Sequence, residues 1–185
     1  MTILVEPSDV LPLVDVEIAF PVGSLEDPVG REGLAQLTGP LMRYGPRSVS
    51  RARFEDLLAS LGARLSVEVS MRTTRVRATV LRRNLERLLG LMARLVWQPA
   101  FRAGDLGKLK RRARAAQLAR LDDDQTLGAL RFRSALFRDH PYGRSLSGSR
   151  ESISEIDLEQ VRGFYDRHLA DADFVVGIAG DVTEE

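Results

Sequence analysis

The chain has no cysteine. That excludes disulfides and thiolate metal sites, and it fits either a reducing cytoplasm or a periplasm with no need of bridges. Imidazole is almost as scarce, with His140 and His168 the only histidines. Net charge is missing too: 27 Lys and Arg stand against 26 Asp and Glu, and the resulting +1 gives no field that would select nucleic acid or an anionic membrane as partner. The opening MTILVEPSDVLPLVDV has no basic leader, long apolar run or small-residue cleavage site, so neither signal peptide nor membrane span is expected. What is present is 44% hydrophobic residues over 185 positions, enough for one large domain, 1–185, with a real core. The end, GIAGDVTEE, leaves an apolar segment for acidic residues without a terminal helix or cap, as expected of a fragment of a longer chain.

Val14, Val16, Ile18 and Phe20 alternate with Asp15, Glu17 and Ala19, the period of a half-buried strand over 13–20. A loop dense in Gly and Pro leads to GLAQLTGPLMRYG, where Leu34, Leu37, Leu41 and Met42 recur at helical spacing. Pro40 lacks an amide proton and its ring crowds the carbonyl four residues back, so this helix is expected to kink or restart near Gly39. Phe54, Leu57, Leu58 and Leu61 form the stripe of a second helix, with Ser50 as N-cap and Gly62 past its end. ARLSVEVS and TTRVRATVLR alternate as a hairpin joined by SMRT, and Leu85 to Val96 give a broad apolar helix face closed by Pro99. Helix formers fill 105–120, and LDDDQ then offers caps for a helix to about Phe137. HPYGRSLSGSRES reads as loop, Asp157 and Gln160 as a capping box for a helix to His168, and DADFVVGIAGDV as a final buried strand. The order predicts an α+β fold, an antiparallel-rich sheet with helices packed on one face, undivided by repeat or linker.

Several blocks, in order across nearly the whole chain, carry a resemblance: AFPVGSLEDPVGREGLA, LASLGARLSVEVS, LVWQPAF, ARLDDDQTLGA, HPYGRSLSGSRESI and FYDRHLADADFVVGIAGDV. Together they resemble the first half-domain of insulinase-type (pitrilysin-type, M16, mitochondrial-processing-peptidase-like) zinc peptidases. Active members carry His-x-x-Glu-His on the first helix. Two His four residues apart share one helical face and chelate one zinc, while the Glu deprotonates the metal-bound water. Laid on that pattern, GLAQLTGPLM puts Gln36 and Pro40 at the His positions and Gly39 at the general base. The resemblance implies a last ligand, a Glu, roughly 77 positions after the second His, and both that count and the LDDDQ block land on Gln117. A neutral amide is a poor zinc ligand and proline has no donor atom, so no catalytic residue, metal or cofactor is expected.

Other residues invite readings that fail. His140 lies in a loop and His168 on a helix between Arg167 and Leu169, both expected to pack or hydrogen-bond rather than ligate. Lys108, Lys110, Arg111, Arg112 and Arg114 read as a solvated helix face rather than a phosphate patch. Asp122, Asp123 and Asp124 lack the glycine and distal Glu of a calcium loop, and GSRES lacks a nucleophile elbow. The resemblance therefore implies a non-catalytic domain that assembles with a zinc-bearing M16 subunit or homologous half-domain, contributing walls and peptide contacts. The alternative is a scaffold module of the same fold with no peptidase partner.

Overall fold

The computed structural model describes residues 1–138 and 140–183. Five strands form one sheet in the order β1-β5-β2-β4-β3, with β1 Thr2–Pro7, β2 Leu13–Phe20, β3 Arg64–Val69, β4 Thr74–Leu81 and β5 Val175–Gly180. All neighbours are antiparallel except β1 and β5, which run parallel with Thr2 opposite Val175. Seven α-helices among the described residues complete the fold: α1 Leu34–Met42, α2 Arg51–Leu61, α3 Leu85–Trp97, α4 Ala103–Leu121, α5 Asp124–Phe137, α6 Arg150–Glu155 and α7 Leu158–His168. The α+β class and the antiparallel-rich sheet are as the sequence predicts.

The alternation in β2 and β4 decides which face is covered. Val14, Val16, Ile18, Phe20, Val76, Ala78 and Val80 are buried together with Leu37, Leu41, Phe54, Leu88, Met92 and Phe164 from the helices. The opposite face keeps charge: Glu17 stands across from Arg77 in the register and pairs with both Arg77 and Arg75. Such exposed cross-strand pairs contribute little beyond fixing the face that meets water. No helix of the described residues is long and apolar enough to cross a membrane.

Caps fall where the side chains allow them. Ser50 accepts from Arg53 N and Gly62 takes the left-handed conformation after α2. Asp123 caps α5, and Asp157 with Gln160 closes a capping box on α7.

Three expectations are corrected. Of the kink or restart expected near Gly39, the restart is ruled out, because α1 runs unbroken through Pro40. A helical proline costs about 3 kcal/mol, whereas burying Leu37, Leu41 and Met42 contributes about 1.5–3 kcal/mol each, so burial wins. The stretch after Ser149 is not all loop: Ser149 and Ser152 form a reciprocal capping box that starts α6. The last strand is not fully buried, since β5 lies inside the sheet but one of its faces is uncovered. The strand β1, which no alternation announces, flanks it as an edge.

Candidate functional site

The helix that holds the motif positions enters through Gly33, left-handed at φ 96°, and through Asp27. The buried Asp27 carboxylate accepts from Gly33 N and Ala35 N at 2.8 Å each, satisfying amides that the helix start leaves free. Burial still dominates these bonds and pushes the carboxyl up to about 6.

Beyond that entry, each motif position is committed to packing or to backbone. Gln36 donates its Nε2 to Val69 O at 2.7 Å, tying α1 to the edge strand β3. Gly39 lies flat against the same residue: a Cβ there would stand 2.4 Å from Val69 Cγ2 and 3.4 Å from Val67 Cγ1. The space a general-base side chain would enter is occupied by valine. Pro40 is half-buried and carries no donor atom. Arg43, one residue past the helix, donates Nε to Leu65 O at 2.8 Å and forms a two-bond fork with Glu55.

Gln117 sits on α4 with its amide turned to the segment before α6. Its Nε2 donates to Ser147 O and Gly148 O at 3.1 Å each, while Oε1 is buried without a partner. The narrow cleft of about 170 Å³ between α1 and α4 is instead faced by Gln36, Leu37, Ala113, Ala116 and Arg120. The structure thus keeps Gln36, Gly39 and Pro40 on one helix and gives Gln117 a separate task as an anchor of the 147–148 backbone. No group of three or more His, Asp or Glu that could hold a metal exists among the described residues. Two amides and a proline do not fit zinc, which takes imidazole, thiolate or carboxylate.

His140 is exposed, accepts at Nδ1 from Tyr142 N at 3.2 Å, and stacks edge-on against Tyr142. His168 packs on Phe164, ring centres 4.8 Å apart. The basic run is only partly the solvated face that its composition suggests. Lys110 Nζ donates to Ser154 O and Ile156 O at the end of α6, Arg114 donates to Ser154 Oγ, and Arg112 reaches Tyr44 OH. Lys110 and Arg114 dock α6 on α4, Arg112 ties α4 to the turn after α1, and desolvation lowers the Lys110 ammonium below its ordinary range. Nothing in the residue pattern pointed to this docking, because its acceptors are backbone carbonyls and the hydroxyls of Ser154 and Tyr44, which lie far away in sequence.

Comparisons with known proteins agree with this architecture. The non-peptidase homolog YmxG of Helicobacter pylori is 24% identical over 97% of this chain and 42% of its own length. An uncharacterized zinc protease of Mycobacterium leprae is 28% identical over 89% of this chain and 37% of its own. The chain spans less than half the length of these curated relatives. Among solved structures, a peptidase M16 inactive domain from Pseudomonas fluorescens superposes with a TM-score of 0.91 at 24% identity, over 98% of this chain and 44% of that one. The periplasmic protease PqqL of Escherichia coli does so at 0.88 with 16% identity, over 98% and 21%. The sequence profile of the insulinase family (peptidase family M16) matches residues 2–150, most of the sheet and six of the seven helix starts, so this chain belongs to that family.

Proposed function

We propose that this chain is a non-catalytic member of its family that supports proteolysis by a zinc-bearing homologous half-domain or subunit, helping to wall the space in which peptides are held. The observation that carries this reading is the contact of Gly39 with Val69: the helix that would carry the metal site is packed where its base would stand. Gln36, Pro40 and Gln117 agree, since none supplies a zinc ligand of the required chemistry. A need for a partner is supported by apolar side chains left in water. On α5 no residue is fully buried, and Phe132 is 69% exposed and Leu136 61%. Clustered exposed apolar residues of this kind mark interaction surfaces.

The test is co-expression with a homologous subunit that has an intact His-x-x-Glu-His helix. The pair is expected to co-purify and to cleave peptides, with this chain alone inactive and free of stoichiometric zinc by elemental analysis. Zinc at one equivalent in the chain alone, or chelator-sensitive hydrolysis by it, would overturn the proposal. Stable folding with no capture of any zinc-bearing homologue would favour the scaffold reading instead.

A further inference from the structure

A second pocket adjoins the motif cleft, sharing Arg120 and Ser147 with it and including Gln117, and its lining mixes arginine with leucine. It is an open cavity of about 290 Å³ between α4, α5 and the segment 145–150. Its lining includes Arg114, Arg120 and Arg150 together with Leu118, Leu127 and Leu130. No acidic residue lines it, and no ion pair among the described residues includes any of the three arginines. Their protein partners are serine hydroxyls: Arg114 Nη2 donates to Ser154 Oγ at 2.7 Å, and Arg120 Nη1 donates to Ser147 Oγ. A guanidinium has five donors, so these contacts leave most of the positive, donor-rich wall unmatched. The buried Arg114 Nε has no partner at all.

The neighbouring Asp122, Asp123 and Asp124 do not line the pocket, and Asp123 is engaged at the start of α5. Glu151 is the acidic neighbour of Arg150, no acidic side chain lines the pocket itself, and apolar surface beside the guanidinium groups strengthens a charge pair made there. Gln117 acts as a positioning residue. By holding the carbonyls of Ser147 and Gly148 it fixes the loop that carries Ser147 opposite Arg120.

We propose that this pocket binds a monocarboxylate with an aliphatic body, its carboxylate on Arg120 and Arg150 and its chain against Leu118, Leu127 and Leu130. Bidentate pairing between guanidinium and carboxylate supplies direction, and the leucines select against small hydrophilic anions. Two sources carry this chemistry, the C-terminal residue of an apolar peptide and a free aliphatic acid. The site is independent of whether the domain pairs with an active partner.

The experiment titrates the chain with N-acetyl-leucine, octanoate, acetate and the neutral N-acetyl-leucinamide, read by calorimetry and by backbone amide shifts. Saturable binding of N-acetyl-leucine or octanoate is expected, with acetate and the amide each at least about tenfold weaker. The tighter of the two acids identifies the source. Arg120 and Arg150 are exposed, so Arg120→Leu and Arg150→Leu are expected to fold normally and each to weaken binding by about tenfold. No saturable binding of either acid would overturn the proposal. So would equal binding of the amide or of acetate, or unchanged affinity in both folded variants.

Discussion

Gly39 of α1 and Val69 of β3 touch so closely that the helix backbone rests on the valine methyl, with 2.4 Å between Cγ2 and the place a Cβ would occupy. Gly39 is therefore a packing residue, and Val69 fills the space that a side chain at position 39 would enter. Introducing Gly39→Glu is expected to destabilise the chain by about 1–3 kcal/mol through overpacking, read as a lower urea midpoint. Adding Val69→Ala should recover part of that loss. The triple change Gln36→His, Gly39→Glu, Pro40→His is expected to give no stoichiometric zinc even where it folds, because Gln117 is not a carboxylate and faces Ser147 and Gly148. Tight zinc binding by the triple variant, measured by competition with a chromogenic chelator, would show that the closed packing opens readily.

Pro40 lies inside α1 with no amide to give the carbonyl of Gln36. Pro40→Ala restores that bond and removes the ring, a gain of about 3 kcal/mol by helix propensity. It also loosens the unfolded chain, which costs about 0.4–1 kcal/mol. The gain is larger, so Pro40→Ala is expected to raise stability by about 2 kcal/mol in chemical denaturation. An unchanged or lower midpoint would mean that the proline ring itself supplies packing the alanine cannot.

Much of this arrangement was legible in the residues because one local rule dominated each element. β2 and β4 bury every second side chain, and Ser50, Gly62, Asp123 and Asp157 stand where caps must stand. The edge strand β1 was not legible, since its six residues are exposed or half-buried and no alternation is imposed on them. Its place depends on pairing with β5 at the far end of the chain. Short α6 hid among serines and glycines whose capping box uses Ser152 where Glu or Gln usually serves. At positions 36, 39, 40 and 117 the sequence itself shows only amides, glycine and proline. That Gly39 is filled by Val69, and that Gln36 and Gln117 turn to backbone carbonyls of different segments, are tertiary facts with no local signature.

The exposed apolar side chains of α5 give a prediction on assembly. Phe132 and Leu136 are largely outside the core, so the paired change Phe132→Ser, Leu136→Ser is expected to leave the chain's own stability within about 0.5 kcal/mol. Capture of a zinc-bearing homologue is expected to fall by at least about tenfold, the effect of losing one or two interface anchors. Melting temperature and co-purification yield, measured on the same preparations, separate the two effects. Undiminished capture would move the partner surface elsewhere, to the exposed Ile3 and Leu4 of β1 in the first instance.

Asp27 gives the chain a pH dependence of unusual sign for a carboxylate. Its side chain is buried, accepts from Gly33 N and Ala35 N, and faces Glu32 in sequence, while Arg144 Nη1 reaches its backbone oxygen rather than its carboxylate. Desolvation wins over the backbone amides of Ala35, Gly33 and Leu34 and raises the carboxyl from 3.8 to about 6. The folded state then holds a proton that the unfolded chain has released. The associated stability is fully present below about 4 and is lost as pH rises through about 6, amounting to about 3 kcal/mol in all. Urea unfolding at pH 4.5 and pH 7.5 is expected to give a wild-type slope that Asp27→Asn removes, because an amide does not ionise in this range. Asp27→Asn also replaces one acceptor oxygen by a donor facing a backbone amide, so it is expected to be less stable than wild type at pH 4.5. Equal slopes in the two proteins would mean that the amides of Gly33 and Ala35 hold the carboxylate ionised and that desolvation is the weaker effect.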